Sequence, residues 1–297
     1  MTDLPSGVAV RPLTRDDIEA VVAMVNACER HDSGEVMLDG ADLRSELDIE
    51  GFDADRGWVG VFDDSTVVAW AFLEAGRRVL VDVHPTARGR GIGTWLRAWT
   101  EERSREVGRD RVAQTIDDSL RDAIALLVRA GYQPRHTSWI LRMQHPERPA
   151  TPTSPPGIEL RTFGENDEDE VLAMFETAFS EFDDRLPTPP AVWRAMVTER
   201  EGFAPDDLVI AVADGEIVGG AFLIDADEIW VDKLAVAREF RTRGIARALL
   251  QTAFARSFER GYDWTSLSTD SRTSALTLYE RVGMTIHRSF TSCSLDL

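Results

Sequence analysis

The sequence predicts an α/β (α+β) fold built twice, with two domains in tandem and each domain a mixed central sheet flanked by helices. Three observations predict it. The stretch Arg241-Thr242-Arg243-Gly244-Ile245-Ala246 stands between an apolar, strand-like run (230–236) and a helical run (246–259). Arg88-Gly89-Arg90-Gly91-Ile92-Gly93 repeats that arrangement about half a chain earlier, after the apolar run 79–83 and before another helical run. Between the two copies lies a segment, 146–157, with prolines at 146, 149, 152, 155 and 156. Proline supplies no N–H and fixes φ, so this segment reads as a semi-rigid linker. The predicted first domain is 1–145, the linker 146–157 and the second domain 158–297. A repeat of this length marks duplicated domains rather than a solenoid.

The elements follow in order. Residues 8–10 read as a strand. Thr14 then reads as a helix N-cap, with acids in the first turn and an apolar face of Ile18, Val21, Val22 and Val25. A short helix is expected over 42–47. Residues 58–62 and 66–73 form a hairpin around Asp63-Asp64-Ser65, and 78–83 is the next strand. After the Arg/Gly turn come a helix over 92–107, a strand over 111–115, a helix over 120–129 closed by Gly131, and a strand over 138–143. The second half repeats this. Strand 158–161 matches 8–11, and Val171-Leu172-Ala173-Met174 echoes Val21-Val22-Ala23-Met24. A hairpin pivots on Asp214-Gly215. It is followed by strand 228–236, helix 245–260, strand 264–268, helix 274–282 closed by Gly283, and a strand-like tail over 285–295.

Composition narrows the function. The chain has 297 residues, is 43% hydrophobic and carries a net charge of −19. That is enough apolar content for a packed core, and the negative charge argues against a nucleic-acid partner. It would draw in a cationic substrate such as an amine, although solubility alone accounts for most surface acids. Cys28 and Cys293 lie at opposite ends and form no metal or redox motif, so a reduced, cytoplasmic protein is expected. Neither a signal peptide nor a membrane-length apolar run is read, and no membrane partner is expected. His31 and His84 stand alone, and no metal site is predicted.

The twin turns carry the chemistry. A strand that ends in a tight glycine turn and opens a helix leaves the first N–H groups of that helix unpaired and converging, which suits a phosphate or pyrophosphate. Gly91 and Gly244 let the backbone approach the anion, and Arg88, Arg90, Arg241 and Arg243 add positive charge. A nucleotide P-loop is excluded because no Gly-Lys-Ser/Thr follows.

Arg88-x-x-Gly91-x-Gly93 and Arg241-x-x-Gly244-x-Ala246 resemble the acetyl-CoA signature of the GNAT superfamily of N-acetyltransferases, and the element order of each half is similar to that fold. The second half adds Ala275-x-x-x-Tyr279-x-x-x-Gly283. The arrangement resembles the tandem GNAT proteins of actinobacteria, mycothiol synthases among them. The resemblance implies acetyl-CoA as co-substrate and no metal. Its pyrophosphate would lie on Arg88, Gly89, Arg90, Gly91, Ile92 and Gly93, and on Arg241, Thr242, Arg243, Gly244, Ile245 and Ala246. Its pantetheine arm would pair with the open edges Val81, Asp82, Val83 and Leu234, Ala235, Val236, as peptides add to a sheet edge.

The halves differ where catalysis would occur. Transfer to an amine needs a neutral nucleophile, a polarised carbonyl and a proton for the thiolate. The resemblance gives the proton to Tyr279, four residues before Gly283. The residue four before Gly131 is Leu127. Asp232 and Glu228 are candidate bases on the fourth strand of the second half. Alternation puts them on one face with Leu234 and Val236, while Arg77 and Val79 fill the matching places in the first half. A mycothiol synthase would be expected to carry an acid four residues before Leu234, and this chain has Trp230 there. Where many GNAT sequences carry Asn, seven residues before the tyrosine, it has Arg272. Glu181, Asp183 and Asp184 could hold a cationic amine, or simply belong to a polar loop. The expected partner is a small-molecule amine, and the expected assembly a monomer or homodimer. Two other readings stay open: a non-catalytic acyl-CoA sensor, and a transferase using a protein amine or another acyl-CoA.

Overall fold

A computed structural model of the chain describes residues 6–48, 53, 56–74, 76–181 and 187–297. The chain divides into two compact units, Met1–Thr137 with Ser289–Leu297, and Ser138–Arg288.

The first unit runs β1 (Ala9–Pro12), α1 (Ile18–Asp32), α2 (Gly40–Leu47), β2 (Trp58–Asp63), β3 (Thr66–Leu73), β4 (Val79–Val83), α3 (Ile92–Glu106), β5 (Arg111–Asp117) and α4 (Arg121–Arg129). β6 (Gln133–Gln144) begins in it. Thr14 caps a single 3-10 turn rather than α1 itself. Asp17 accepts the Thr14 N–H at 2.8 Å and is gripped by Arg11 at 2.8 and 2.6 Å. The hairpin turns on Asp64, which the structure holds at φ 52°. β1, β2, β3 and β4 form an antiparallel sheet. A bulge at Val68 resets the alternation along β3, so that Val67, Trp70 and Phe72 join the α1–α2 face and Val68, Ala69, Ala71 and Leu73 the α3 face. Each face thus buries its own apolar layer, with Trp58, Trp70 and Leu43 in one and Ile92, Leu96 and Val112 in the other.

The second unit runs β7 (Glu159–Thr162), α5 (Glu168–Phe179), α6 (Pro190–Met196), β8 (Leu208–Ala213), β9 (Glu216–Asp225), β10 (Ile229–Val236), α7 (Ile245–Glu259), β11 (Trp264–Asp270), α8 (Leu276–Arg281) and the start of β12 (Thr285–Asp296). The duplication reaches single contacts. Asp167 accepts the Gly164 N–H at 2.7 Å and is gripped by Arg161 at 2.6 and 2.8 Å, as Asp17 is by Arg11. β7 to β10 are antiparallel, and β10 runs parallel to β11, giving the mixed sheet expected.

The division does not fall at the prolines. Residues 138–144 of β6 pair with β11 in the second unit, from Ser138↔Asp270 to Gln144↔Trp264. Residues 290–296 of β12 pair with β5 in the first, from Phe290↔Asp117 to Asp296↔Arg111. Each sequence half therefore surrenders its last strand to the other, and strand pairing outweighs chain proximity in fixing the units. No described residue of 146–157 lies in a helix or strand, as their prolines require.

Candidate active site

The two turns share one backbone shape. Gly91 and Gly244, the N-caps of α3 and α7, are left-handed at φ 87° and 88°. Two residues earlier, Gly89 sits at 75° and Thr242 at 64°. Left-handed residues alternating with right-handed ones turn successive N–H groups inward, and the helix dipole adds to that positive end. Thr242 is β-branched, and such a residue is strained by about 1–2 kcal/mol at positive φ. Its hydroxyl donates to the Arg241 carbonyl at 2.6 Å. Ile92 and Ile245 are buried and pin the first turn of each helix to the core. A β-carbon at Gly93 would meet Leu126 and Val83 only at 3.9 Å, so the alanine at 246 in the other turn is accommodated.

The turn arginines are already engaged. Arg88 donates through Nε to the Val83 carbonyl at 3.0 Å and grips Asp32 at 2.7 and 2.6 Å. Arg241 donates through Nε to the Val236 carbonyl at 3.0 Å and pairs with Glu181 at 2.8 Å. Arg90 pairs with Asp63 at 2.7 Å, and Arg243 lies over the Phe240 ring and donates to the Glu239 carbonyl at 3.0 Å. The charge expected at the turns is therefore partly compensated.

Beside each turn a strand parts from its neighbour. β10 keeps its ladder with β9 as far as Val236↔Gly219, but pairs with β11 only at Ile229, Trp230 and Val231. β4 pairs with β3 from Val79 to Val83 and meets β5 at one parallel bridge, Arg78↔Ala113. Beyond those points Val81, Asp82 and Val83, and Leu234, Ala235 and Val236, keep a backbone edge that no described strand pairs. An amide-rich ligand arm can take that edge.

A bulge corrects the expected alternation along β10. The register slips between Val231 and Lys233, leaving Asp232 as the extra residue. Ile229, Val231, Leu234 and Val236 consequently share the α7 face, while Ala235 joins the opposite core and Lys233 lies over Phe222 there. Glu228 and Asp232 do not share a face with Leu234 and Val236 in the simple way that period two demands. Both acids also have partners. Ser266 donates to Glu228 at 2.5 Å with Arg142 at 3.7 Å, and Asp232 pairs with its neighbour Lys233.

Tyr279 lies on α8, 7% exposed, in the core that holds Leu234, Val236 and Ile245. Burial pushes its phenol up to about 12, so it stays protonated at neutral pH. The local frame is duplicated. Gly283 and Gly131 have φ of 98° and 97°, and the following N–H returns to Tyr279 and Leu127 at 3.0 and 3.1 Å. Leu127 is 2% exposed, so the first unit fills the position with hydrocarbon.

Sequence reasoning missed a side chain. Asp82 appeared only as backbone, yet its half-buried carboxyl accepts from Trp70 Nε1 at 2.7 Å on the α1 side of the sheet. Burial pushes it up to about 6 against that hydrogen bond, with Glu29 and Asp32 adding to the rise. A lone acid inside Val79-Leu80-Val81-Asp82-Val83 was the available signal. The second unit has Ala235 and Gly220 at the paired positions, and Phe175 and Met174 close on the latter. Asp183 and Asp184 lie outside the described residues.

A split mixed sheet, an inward-facing N–H turn at the split and an α/β frame define an acyl-CoA-type transferase fold. The signature of the Acetyltransferase (GNAT) family matches residues 21–132 and 169–284, and the chain belongs to that family, whose members use acetyl-CoA. It is an N-acetyltransferase by that membership. It is similar to a GCN5-related N-acetyltransferase from Sphaerobacter thermophilus at 31% identity, with 99% of this chain and 97% of that one covered and a TM-score of 0.84. The mycothiol acetyltransferase of Thermobispora bispora is 27% identical over 92% of this chain and 94% of its own length. That of Tsukamurella paurometabola is 28% identical over 69% of this chain and 73% of its own. A tandem GNAT protein from the clavulanic acid biosynthesis pathway shares the fold, with a TM-score of 0.73 at 16% identity over 97% and 98% of the two chains. Among the described residues no helix is long and apolar enough to cross a membrane.

Proposed function

We propose that the chain moves an acetyl group from acetyl-CoA to a small-molecule primary amine by direct attack, and that the second unit performs the reaction. In this reading the turn from Arg241 to Ala246 takes the pyrophosphate, the edge at Leu234, Ala235 and Val236 takes the pantetheine amides, and Tyr279 serves the departing sulfur. The observation that carries it is an asymmetry within a duplication. Both units have the turn and the open edge, while only the second has a phenol, Tyr279 rather than Leu127, at the matching helix position. A phenol near 12 does not fully protonate a thiolate of ordinary pKa, since that transfer is uphill by about 5 kcal/mol. Its contribution is a hydrogen bond that strengthens as charge develops on sulfur: the N–C bond forms, the C–S bond breaks as the phenol proton passes to sulfur, and the proton released by the attacking nitrogen restores the phenol. The first unit, with the same turn and no phenol, binds acetyl-CoA without turning it over.

Two named mycothiol acetyltransferases among the relatives make their acceptor the first amine to assay. Trp230, where that resemblance calls for an acid, supports testing other cationic amines beside it. Replacing Tyr279 with Phe keeps the buried ring and deletes the proton. The expected result is a folded protein with kcat reduced by about 10²–10³ and an unchanged KM for acetyl-CoA. Undiminished kcat would remove Tyr279 from the mechanism. Counting bound acetyl-CoA after Gly91→Val and Gly244→Val, made separately, tests which unit is loaded.

A further inference from the structure

One guanidinium in each unit joins three elements, and the pattern is the same twice. Arg88 ties the carbonyl of Val83, the last residue of β4, to Asp32, the last residue of α1. Arg241 ties the carbonyl of Val236, the last residue of β10, to Glu181, two residues past α5. The Nε–O distance is 3.0 Å in both. The carbonyl held belongs to the strand stretch whose other edge is open, and the carboxylate held lies at the end of the helix that packs on that sheet, or two residues past it. Arg241 in turn keeps the Glu181 carboxyl below its usual range.

We propose that Arg88 and Arg241 are positioning residues, with Asp32 and Glu181 as their required partners. Each clasp fixes the end of the open strand edge and the helix beside it, so that a pantetheine arm meets a preset row of backbone donors and acceptors. This rests on the reading that those edges receive acetyl-CoA. A guanidinium held through Nε by a carbonyl and paired with a carboxylate, by both terminal nitrogens in Arg88 and by Nη1 in Arg241, has little net charge left for a phosphate. The pyrophosphate then falls to the N–H groups around Gly91 and Gly244. The arginine acts on the cofactor only through the backbone it holds.

The opposite assignment, arginine as phosphate ligand, predicts an effect of opposite sign, which makes the test simple. Removing the charge of Glu181 would free Arg241 for the phosphates and tighten acetyl-CoA. Under the clasp it loosens the edge and weakens acetyl-CoA. The experiment measures acetyl-CoA affinity by calorimetry and KM by steady-state turnover on the full chain, for wild type, Asp32→Asn, Glu181→Gln, Arg241→Gln and Glu181→Gln/Arg241→Gln. Glu181 is exposed, so its variant folds. The clasp predicts that Glu181→Gln raises KM and Kd about two- to fivefold, the size of a half-exposed ion pair. It predicts about tenfold for Arg241→Gln, and a double variant no worse than Arg241→Gln alone. Arg241→Lys should recover only part, since an ammonium cannot reach carbonyl and carboxylate in the same geometry. Tighter binding in Asp32→Asn or Glu181→Gln, or additive losses in the double variant, would overturn the clasp. A wild-type chain that fails to bind acetyl-CoA overturns the underlying reading as well; a wild type that binds while Glu181→Gln tightens overturns the clasp alone.

Discussion

Asp82→Asn should stabilise the protein at neutral pH and cease to do so in acid. The Asp82 carboxyl is pushed from 3.8 to about 6 by burial, with Glu29 and Asp32 of α1 raising it further and the Trp70 hydrogen bond and Arg88 opposing. Its folded-state pKa lies above the unfolded one. Its favourable contribution is therefore complete below about pH 3.8 and lost as pH rises through about 6. Above that, the ionised group costs about 3 kcal/mol at most, from a little over two pKa units at 1.36 kcal/mol each. Asparagine has the same shape, and its amide oxygen still accepts from Trp70. Its new N–H₂ needs a partner, which returns about 1 kcal/mol. The net expectation is a gain of about 1–2 kcal/mol near pH 7.5 and a difference near zero or slightly negative near pH 4. Urea unfolding of both proteins across that range, followed by tryptophan fluorescence, measures it. A difference independent of pH would refute the reasoning, because it would mean that Asp82 titrates alike folded and unfolded. A stabilising substitution at a strand that borders the split sheet would also identify a position kept at a cost to stability.

Gly244→Val forces a branched side chain to φ 88°, so we expect a loss of about 1–3 kcal/mol in denaturant midpoints and failure to retain acetyl-CoA at that turn. A β-carbon there would meet Pro155 at an ordinary 3.7 Å, so backbone strain and not a clash should dominate. Thr242→Gly relieves the strain at φ 64° and should raise the melting temperature, by about 0.5–1 kcal/mol of stability after the unfolded-state entropy of glycine is subtracted. Burial pushes the Cys28 thiol up to about 12, and Cys293 is equally enclosed, so Ellman's reagent should find no fast thiol in the native protein and two after unfolding.

Much of the fold was legible because the chain states it twice. Local signals sufficed for the turns: strand, Arg/Gly run, helix, with glycine where φ is positive. The hairpin at Asp214-Gly215 and the caps at Gly131 and Gly283 are likewise local. What escaped was set at a distance. The extra residue at Asp232 is defined only by the register against β9, so counting by two from Leu234 assigned the acids to the wrong face. The depth of Asp82 depends on Trp70 across the strand pair and on α1 above it, neither of which the strand itself announces. The carboxylates that pair with Arg88 and Arg241 lie 56 and 60 residues away in sequence, so no local signal announced those ion pairs. The strand exchange was equally hidden, since β6 and β12 carry similar alternation and either could complete either sheet.

That exchange has a consequence for biosynthesis. The first unit has 111–117 of β5 waiting for 290–296 of β12, a stretch translated only after the rest of the second half. A nascent chain that has already emitted β1 to α4 still exposes an unpaired β5 edge while the whole second half is being made. Vectorial synthesis therefore cannot finish the N-terminal unit first. Removing residues from 289 onward should damage the unit that is farthest from them in sequence.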